Sequence, residues 1–251
     1  MTRAMQARPS ISAIVCAFNE ERLLPAALHS LLAQTRIPDE IIVVNNASTD
    51  GTRQVARAVP GVRVVEEPRK GLLWARAAGR VAARGDVLFY MDADCRAPLR
   101  LIERLERRFL RSPSTVAVTG PYRFYDWDRI GVAGARLYDY TLAPLAHFTA
   151  HHLLGAGAVL YGGNFAVRAW ALEMIGGFDT TIEFHGEDTN LGRRLTRIGA
   201  VELAYDCVVA TSARRYKALG RGRVFRLYVG NFWSEMIHHR PKDFAHDDIR
   251  V

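Results

Sequence analysis

Val87-Leu88-Phe89-Tyr90-Met91-Asp92-Ala93-Asp94 is an apolar run that ends on two acids. Gly85 punctuates the chain just before it, and the run reads as a strand. Side chains two apart on a strand point the same way, so Asp92 and Asp94 are expected to emerge together where the strand stops. Parallel sheets bind their ligands at that edge, outside the carboxyl ends of the strands. Two carboxylates there can hold a hard divalent cation, and Mg²⁺ in particular takes one or two carboxylates plus the phosphate oxygens of a substrate. The triplet therefore points to a metal–diphosphate site, although Asp also stands at strand ends for backbone reasons alone.

Upstream of the triplet, strand and helix patterns alternate. Ile11 to Phe18 is a β-compatible run, and Leu23, Leu24, Ala27, Leu28, Leu31 and Leu32 follow with the spacing of one helical face. Glu40 to Val44 and Val62 to Val65 read as two more strands. Helices are expected from near Val55, over Leu72 to Ala83, and over Leu99 to Leu110. This alternation predicts an α/β fold, a mostly parallel sheet with helices on its faces. Right-handed crossovers then gather Phe18-Asn19-Glu20, Asn45-Asn46-Ala47-Ser48 and the acidic triplet along one rim. After about Ser114 the regular alternation is lost. A single domain over 1–251 is expected, with a nucleotide-binding half at about 11–112 and a mixed half at about 113–251 that carries the acceptor site. No Gly-x-Gly-x-x-Gly follows the first strand, and no Walker-type loop is present. A nucleotide at this rim must be held by side chains and a metal.

The second half carries another acidic cluster. Gly162-Gly163-Asn164 precedes Phe165-Ala166-Val167-Arg168, and His185-Gly186-Glu187-Asp188 leads into Leu191, Leu195 and Ile198 at helical spacing. Asp188 at a helix start is either an N-cap or a general base. The helix N-terminus favours its ionised form and Glu187 opposes it. The paired glycines either let backbone approach a bound sugar or mark a tight turn.

Composition narrows the functional class. The chain has 251 residues, 49% of them apolar, and a net charge of +8. Its basic N-terminus lacks the apolar segment of a secretory signal, and Leu153 to Val167 falls short of a spanning helix. Cys16, Cys95 and Cys207 are scattered without ligand spacing and read as reduced thiols in a cytoplasmic protein. Arg214, Arg215, Lys217, Arg221, Arg223 and Arg226 form a basic tail that attracts phosphate or stands as a solvated face. No motif beyond charge supports nucleic-acid binding. His147 and His151 are spaced for one helical face, but with His152 they read as packing or surface residues, since no third zinc ligand is visible. The apolar Pro144 to Leu160 segment is expected either to pack beneath the rim or to lie on a membrane interface, with Pro144 interrupting a continuous helix.

Taken in order, these pieces resemble family 2 glycosyltransferases. The resemblance rests on Ile14-Val15-Cys16-Ala17-Phe18-Asn19-Glu20-Glu21, on Glu40 to Thr52, on Lys70-Gly71 with Ala75-Arg76, and on Asp92-Ala93-Asp94, Gly163-Asn164 and Gly186-Glu187-Asp188. It runs from about Ile11 to Gly199. It implies a GT-A fold and transfer of a sugar, with inversion, from a nucleoside-diphosphate donor (UDP or GDP) that needs Mg²⁺ or Mn²⁺. By the same resemblance Cys16, Phe18, Glu20, Asn46, Arg76, Asp92, Ala93, Gly163 and Asn164 would bind the nucleotide sugar. Asp94, with Asp92, would hold the cation, and Asp188 beside Glu187 would be the base. By the resemblance, Asp is common at one or both of the positions held here by Asn45 and Asn46, and the amides leave uracil and guanine both open as the base. The acceptor is a glycan or a lipid-linked one, the latter implying peripheral contact at the inner membrane face. A retaining enzyme on the same fold and a sugar nucleotidyltransferase are the rival readings. The second usually carries a glycine-rich loop where Ala17-Phe18-Asn19-Glu20 stands.

Overall fold

The computed structural model describes residues 7–149, 157–182 and 186–238. Four strands, β1 (Ile11–Ala17), β2 (Glu40–Asn46), β3 (Val62–Glu67) and β4 (Val87–Asp92), alternate with helices α1 (Leu24–Leu32), α2 (Thr52–Arg57) and α3 (Leu72–Ala82). Next come α4 (Leu101–Arg111), β5 (Thr115–Thr119) and β6 (Tyr122–Phe124). Helix α5 (Arg129–Leu137) passes through a π-helical turn (Tyr138–Leu142) into α6 (Ala143–Phe148). The remaining elements are β7 (Asn164–Arg168), α7 (Ala169–Met174), α8 (Glu187–Leu195), β8 (Ala200–Leu203), β9 (Val209–Thr211), α9 (Arg214–Leu219) and α10 (Arg221–His238).

Seven strands form one sheet in the order β3-β2-β1-β4-β7-β5-β8. Every pairing is parallel except those of β7, which runs antiparallel to both β4 and β5. Alternate residues of the apolar runs are buried on opposite faces, as a sheet covered on both sides requires. Ala13, Val15, Val43, Phe89 and Met91 pack with Leu24, Leu28, Leu101 and Leu105 on one face. Ile14, Ile42, Val44, Leu88 and Tyr90 pack with Leu73, Phe165, Leu191 and Leu195 on the other. The parallel α/β fold read from the sequence is the one observed.

The reversed strand has a direct consequence for the site. A parallel strand brings its C-terminal end to the rim, whereas β7 brings its N-terminal end. Met91 is paired with Asn164, so Gly162-Gly163-Asn164 arrives beside the end of β4. A short parallel ribbon of β6 and β9 adds Tyr122 and Thr211 from the second half.

Two expectations are corrected. Strand β4 stops at Asp92, and Cys95 N–H closes a turn on the Asp92 carbonyl at 3.0 Å. Strand alternation therefore does not reach Asp94, and the turn rather than the strand sets its place near Asp92, both charges acting on Arg214. Pro144 also fails to interrupt its helix. It sits in the first turn of α6, directly after the π-helical turn. The wider turn takes up the missing proline N–H and the ring's clash with the preceding turn. Among the described residues, no helix is long and apolar enough to cross a membrane.

Candidate active site

The loops that follow β1 and β2 hold each other. Asn19 N–H donates to Ser48 Oγ at 3.1 Å, and Thr49 N–H donates back to Asn19 Oδ1 at 2.9 Å. Glu20 N–H donates to Thr52 Oγ1 at 2.7 Å. Asn19 and Ala47 both take positive φ, 53° and 54°, the described non-glycine residues that do so. Such backbone is disfavoured for residues with a Cβ and persists where its surroundings over-determine it.

Asn46 spends its whole amide on the loop after β3. Its Nδ2 donates to the carbonyls of Glu67 at 3.1 Å and Arg69 at 2.6 Å, while Oδ1 accepts from Gly71 N–H at 2.8 Å. Asn45 Nδ2 donates to Glu66 at 2.7 Å, and its buried Oδ1 has no partner among the described residues. Above this loop, Lys70 Nζ lies 4.2 Å from the centre of the Phe18 ring.

Two carboxylate clusters flank the Gly162-Gly163 turn. On one side stands Asp92: a Cβ on Gly163 would lie 2.1 Å from Asp92 Oδ2 and 2.9 Å from the Tyr122 hydroxyl. That hydroxyl accepts the Gly163 N–H at 2.6 Å. Burial, reinforced by the Asp92 charge, keeps the Tyr122 phenol protonated. On the other side a Cβ on Gly162 would meet Glu187 Oε1 at 2.9 Å and Arg76 Nη2 at 3.1 Å. A side chain at either glycine would displace these groups, and neither position is constrained by its own φ. Asn164 is buried and donates through Nδ2 to the carbonyls of Gly120 and Cys207, at 2.9 and 2.7 Å, which ties β7 to the second half.

Asp188 is not an N-cap. Helix α8 begins at Glu187, and its N-cap is Gly186 at φ +84°, without a side-chain cap. Asp188 instead accepts from Thr189 N–H at 2.7 Å. Burial raises the Asp188 carboxyl above its ordinary value, opposed by the Thr189 hydrogen bond and by Arg76. Burial and then the Asp188 charge push Glu187 further, to about 8, against the pull of Arg76. Two neighbouring acids facing one guanidinium behave as a pair that shares a proton near neutrality.

Arg76 is the buried counter-charge. Its Nη1 lies 3.3 Å from Glu187, and its Nη2 donates to the Gly162 carbonyl at 2.6 Å. Burial alone would lower its pKa, but Glu187, Asp92, Cys16 and Asp188 together hold it raised. Cys16 lies within the field of Arg76 and Asp92, and burial pushes its thiol up to about 12, so it is no nucleophile. Ala93 is buried in the core cluster beneath this rim.

Of the basic tail expected to attract phosphate, Arg214 reaches the triplet. Its guanidinium grips Glu20, with one contact at 3.0 Å, and its Nε lies 3.1 Å from Asp94 Oδ2. The Asp94 carboxylate, the group a divalent ion would take as a ligand, is thus already paired with a positive charge. Among the described residues no three His, Cys, Asp or Glu side chains form a metal cluster. Two carboxylates near one strand end, Asp92 and Asp94, are a donor set of the kind a hard ion uses when a substrate supplies its other ligands.

Three tyrosines that the sequence did not single out, Tyr122, Tyr138 and Tyr228, lie near these acids. Tyr138 lies within electrostatic reach of Asp188, and Tyr228 within reach of Asp188, Glu187 and Asp92. The density of aromatics from Tyr122 to Tyr140 could have marked the first two, whereas nothing in the sequence marked Tyr228. His147 Nδ1 accepts from Val159 N–H at 3.3 Å, a packing role, while His151 and His152 lie outside the described residues.

Comparison with known proteins agrees with this geometry. The model of glycosyl transferase family 2 matches residues 12–173. A glycosyltransferase, AglE, from Haloferax volcanii is 25% identical over 237 residues, spanning 91% of this chain and 75% of its own. The hyaluronan synthase of Pasteurella multocida is 24% identical over 84% of this chain, which spans only 22% of that larger protein. Among solved structures, a mannosyltransferase from Pyrobaculum calidifontis in complex with GDP-Man and Mn²⁺ superposes with a TM-score of 0.69 at 23% identity, over 93% of this chain and 64% of that one. Glucosyl-3-phosphoglycerate synthase from Mycobacterium tuberculosis, with Mn²⁺, UDP-glucose and phosphoglyceric acid, gives 0.66 at 24% identity, over 92% and 80%. The fold they share with this chain is GT-A.

Proposed function

This chain belongs to glycosyl transferase family 2, and we propose that it moves a sugar from a nucleoside-diphosphate donor to an acceptor hydroxyl with inversion at the anomeric carbon. What carries this reading is the Gly162-Gly163 turn, with Asp92 against one glycine and Glu187 against the other. A diphosphate group and a reacting hydroxyl can then be held on either side of one sugar.

A divalent cation held by Asp94 with Asp92 would neutralise charge developing on the departing diphosphate. Arg214 adds a fixed positive charge at the same place, and Arg76 adds one beneath the sugar-facing turn. Asp188 takes the proton of the acceptor hydroxyl as its oxygen forms the new bond to the anomeric carbon. The bond from that carbon to the diphosphate oxygen breaks, and its electron pair leaves with the nucleotide. Glu187 holds the proton shared by the acidic pair, which leaves Asp188 ionised. One displacement needs no carboxylate nucleophile, so the configuration inverts.

The test is Asp188→Asn. Turnover is expected to fall roughly 10²- to 10⁴-fold, with donor affinity unchanged and, in the native enzyme, an inverted product by NMR. Equal loss of donor binding, or a retained anomer, would contradict the assignment.

A further inference from the structure

The helical segment 129–148 has two unlike faces. Its inner face is tied down: Asp139 is buried and accepts the Tyr161 hydroxyl at 2.6 Å, and His147 accepts the Val159 N–H. On the outer face Ile130 is 77% exposed, Leu137 64%, Leu145 61% and Phe148 52%. These four are spaced seven, eight and three residues apart, which on a helix places them in one stripe. Tyr140 and Leu142 stand exposed beside it. Large apolar side chains gathered on one face mark an interaction surface.

The charges around the stripe select its occupant. Arg129 and Arg136 are exposed, and their spacing of seven sets them along one flank. Asp139 is the sole acid between residues 129 and 149, and it is buried. The start of α10 adjoins the start of α5 through the Arg221–Asp128 ion pair, and it presents Arg223, Phe225 and Arg226 to solvent. A second copy of this chain would set arginines against arginines, and the exposed acid at the segment's start, Asp128, is already paired with Arg221. Anionic lipid headgroups above an apolar layer complement both the stripe and its flank.

We propose that the outer face of 129–148, with the start of α10, is a docking surface for an anionic lipid bilayer. The arginine stems lie along the apolar layer and carry their guanidinium groups to the headgroups. Because Tyr138 on the same segment lies within reach of Asp188, docking sets the acceptor entrance at the headgroup level and favours an acceptor carried on a lipid. That extension rests on the proposed transfer; the docking does not.

The experiment is co-sedimentation of the full chain with phosphatidylcholine vesicles, with and without phosphatidylglycerol, at low and at physiological salt. The native protein is expected to pellet with the anionic vesicles and to be released by salt. The Leu137→Ser/Leu145→Ser/Phe148→Ser variant should partition about tenfold less or weaker still, with unchanged thermal stability and unchanged donor-induced stabilisation. Arg129→Gln/Arg136→Gln should lose most of the preference for anionic lipid. A native protein that stays in the supernatant, or a triple variant that pellets as the native does, overturns the proposal. So does velocity sedimentation that finds a dimer, abolished by the triple variant, in a protein that ignores vesicles.

Discussion

The resemblance leads one to expect Asp at one or both of the positions held by Asn45 and Asn46, and their neighbours explain the amides. Asn46 must donate twice to backbone carbonyls, which a carboxylate cannot do. Asn45 donates to Glu66, so an Asp there would set two carboxylates at 2.7 Å. Asn45→Asp is expected to destabilise the fold by roughly 2 kcal/mol at neutral pH, and Glu66→Gln in the same chain should restore most of it. Denaturant unfolding of the two variants and their combination measures this coupling. A cycle without coupling would leave the departure from the family pattern unexplained. Glu187 gives the second prediction at this scale. Its folded value, about 8, lies above the ordinary 4.5, so the fold binds its proton more tightly than the unfolded chain does. Stability is then fullest below the ordinary value and falls as pH rises toward 8. Glu187→Gln should flatten that decline in a melting-temperature profile from pH 4 to pH 9. The residue types at the rim were legible because acids and amides at strand ends have few uses. Their partners were not, since Glu66 and Arg214 meet them only through the fold.

Among elements, β7 decides the most. Strands β1 to β4 were legible from long apolar runs, and the helices between them from the spacing of leucine and alanine. Strands β5, β8 and β9 span five residues or fewer, too short for periodicity to separate strand from loop. The reversal of β7 left no trace in composition, yet it carries the glycine pair to Asp92. Gly163→Ala is expected to push the Asp92 carboxylate aside, because the new methyl would stand 2.1 Å from its oxygen. Turnover should fall by about tenfold or more while the thermal midpoint shifts little, since cost at a rim falls on position rather than on the core. Comparison of kcat and melting temperature checks this, and an unimpaired enzyme would show that the close approach is unimportant. The same scale explains the proline. A π-helical turn before Pro144 keeps one helical segment continuous, and its outer stripe stays intact.

At the scale of the whole molecule, the net charge of +8 is not spread evenly. Part of the basic tail turns inward, with Arg214 on Glu20 and Asp94 and Lys217 at 3.1 Å from Asp126. The sheet edge thus collects acids from β4 and α8 and bases from α3 and α9, so the site is a field made by the entire fold. Fold class was readable from alternation alone, whereas this convergence depends on a topology that sequence spacing does not encode. The claim on which the rest depends is that Asp94 and Asp92 share a divalent ion with the diphosphate of a sugar donor. Isothermal titration calorimetry of UDP- and GDP-sugars, with Mn²⁺ and with EDTA, measures it directly. At least one donor is expected to bind about tenfold more tightly with the ion, and Asp94→Ala should erase that gain while the protein stays folded. Equal donor affinity with and without the ion, or a gain that survives Asp94→Ala, would contradict the account.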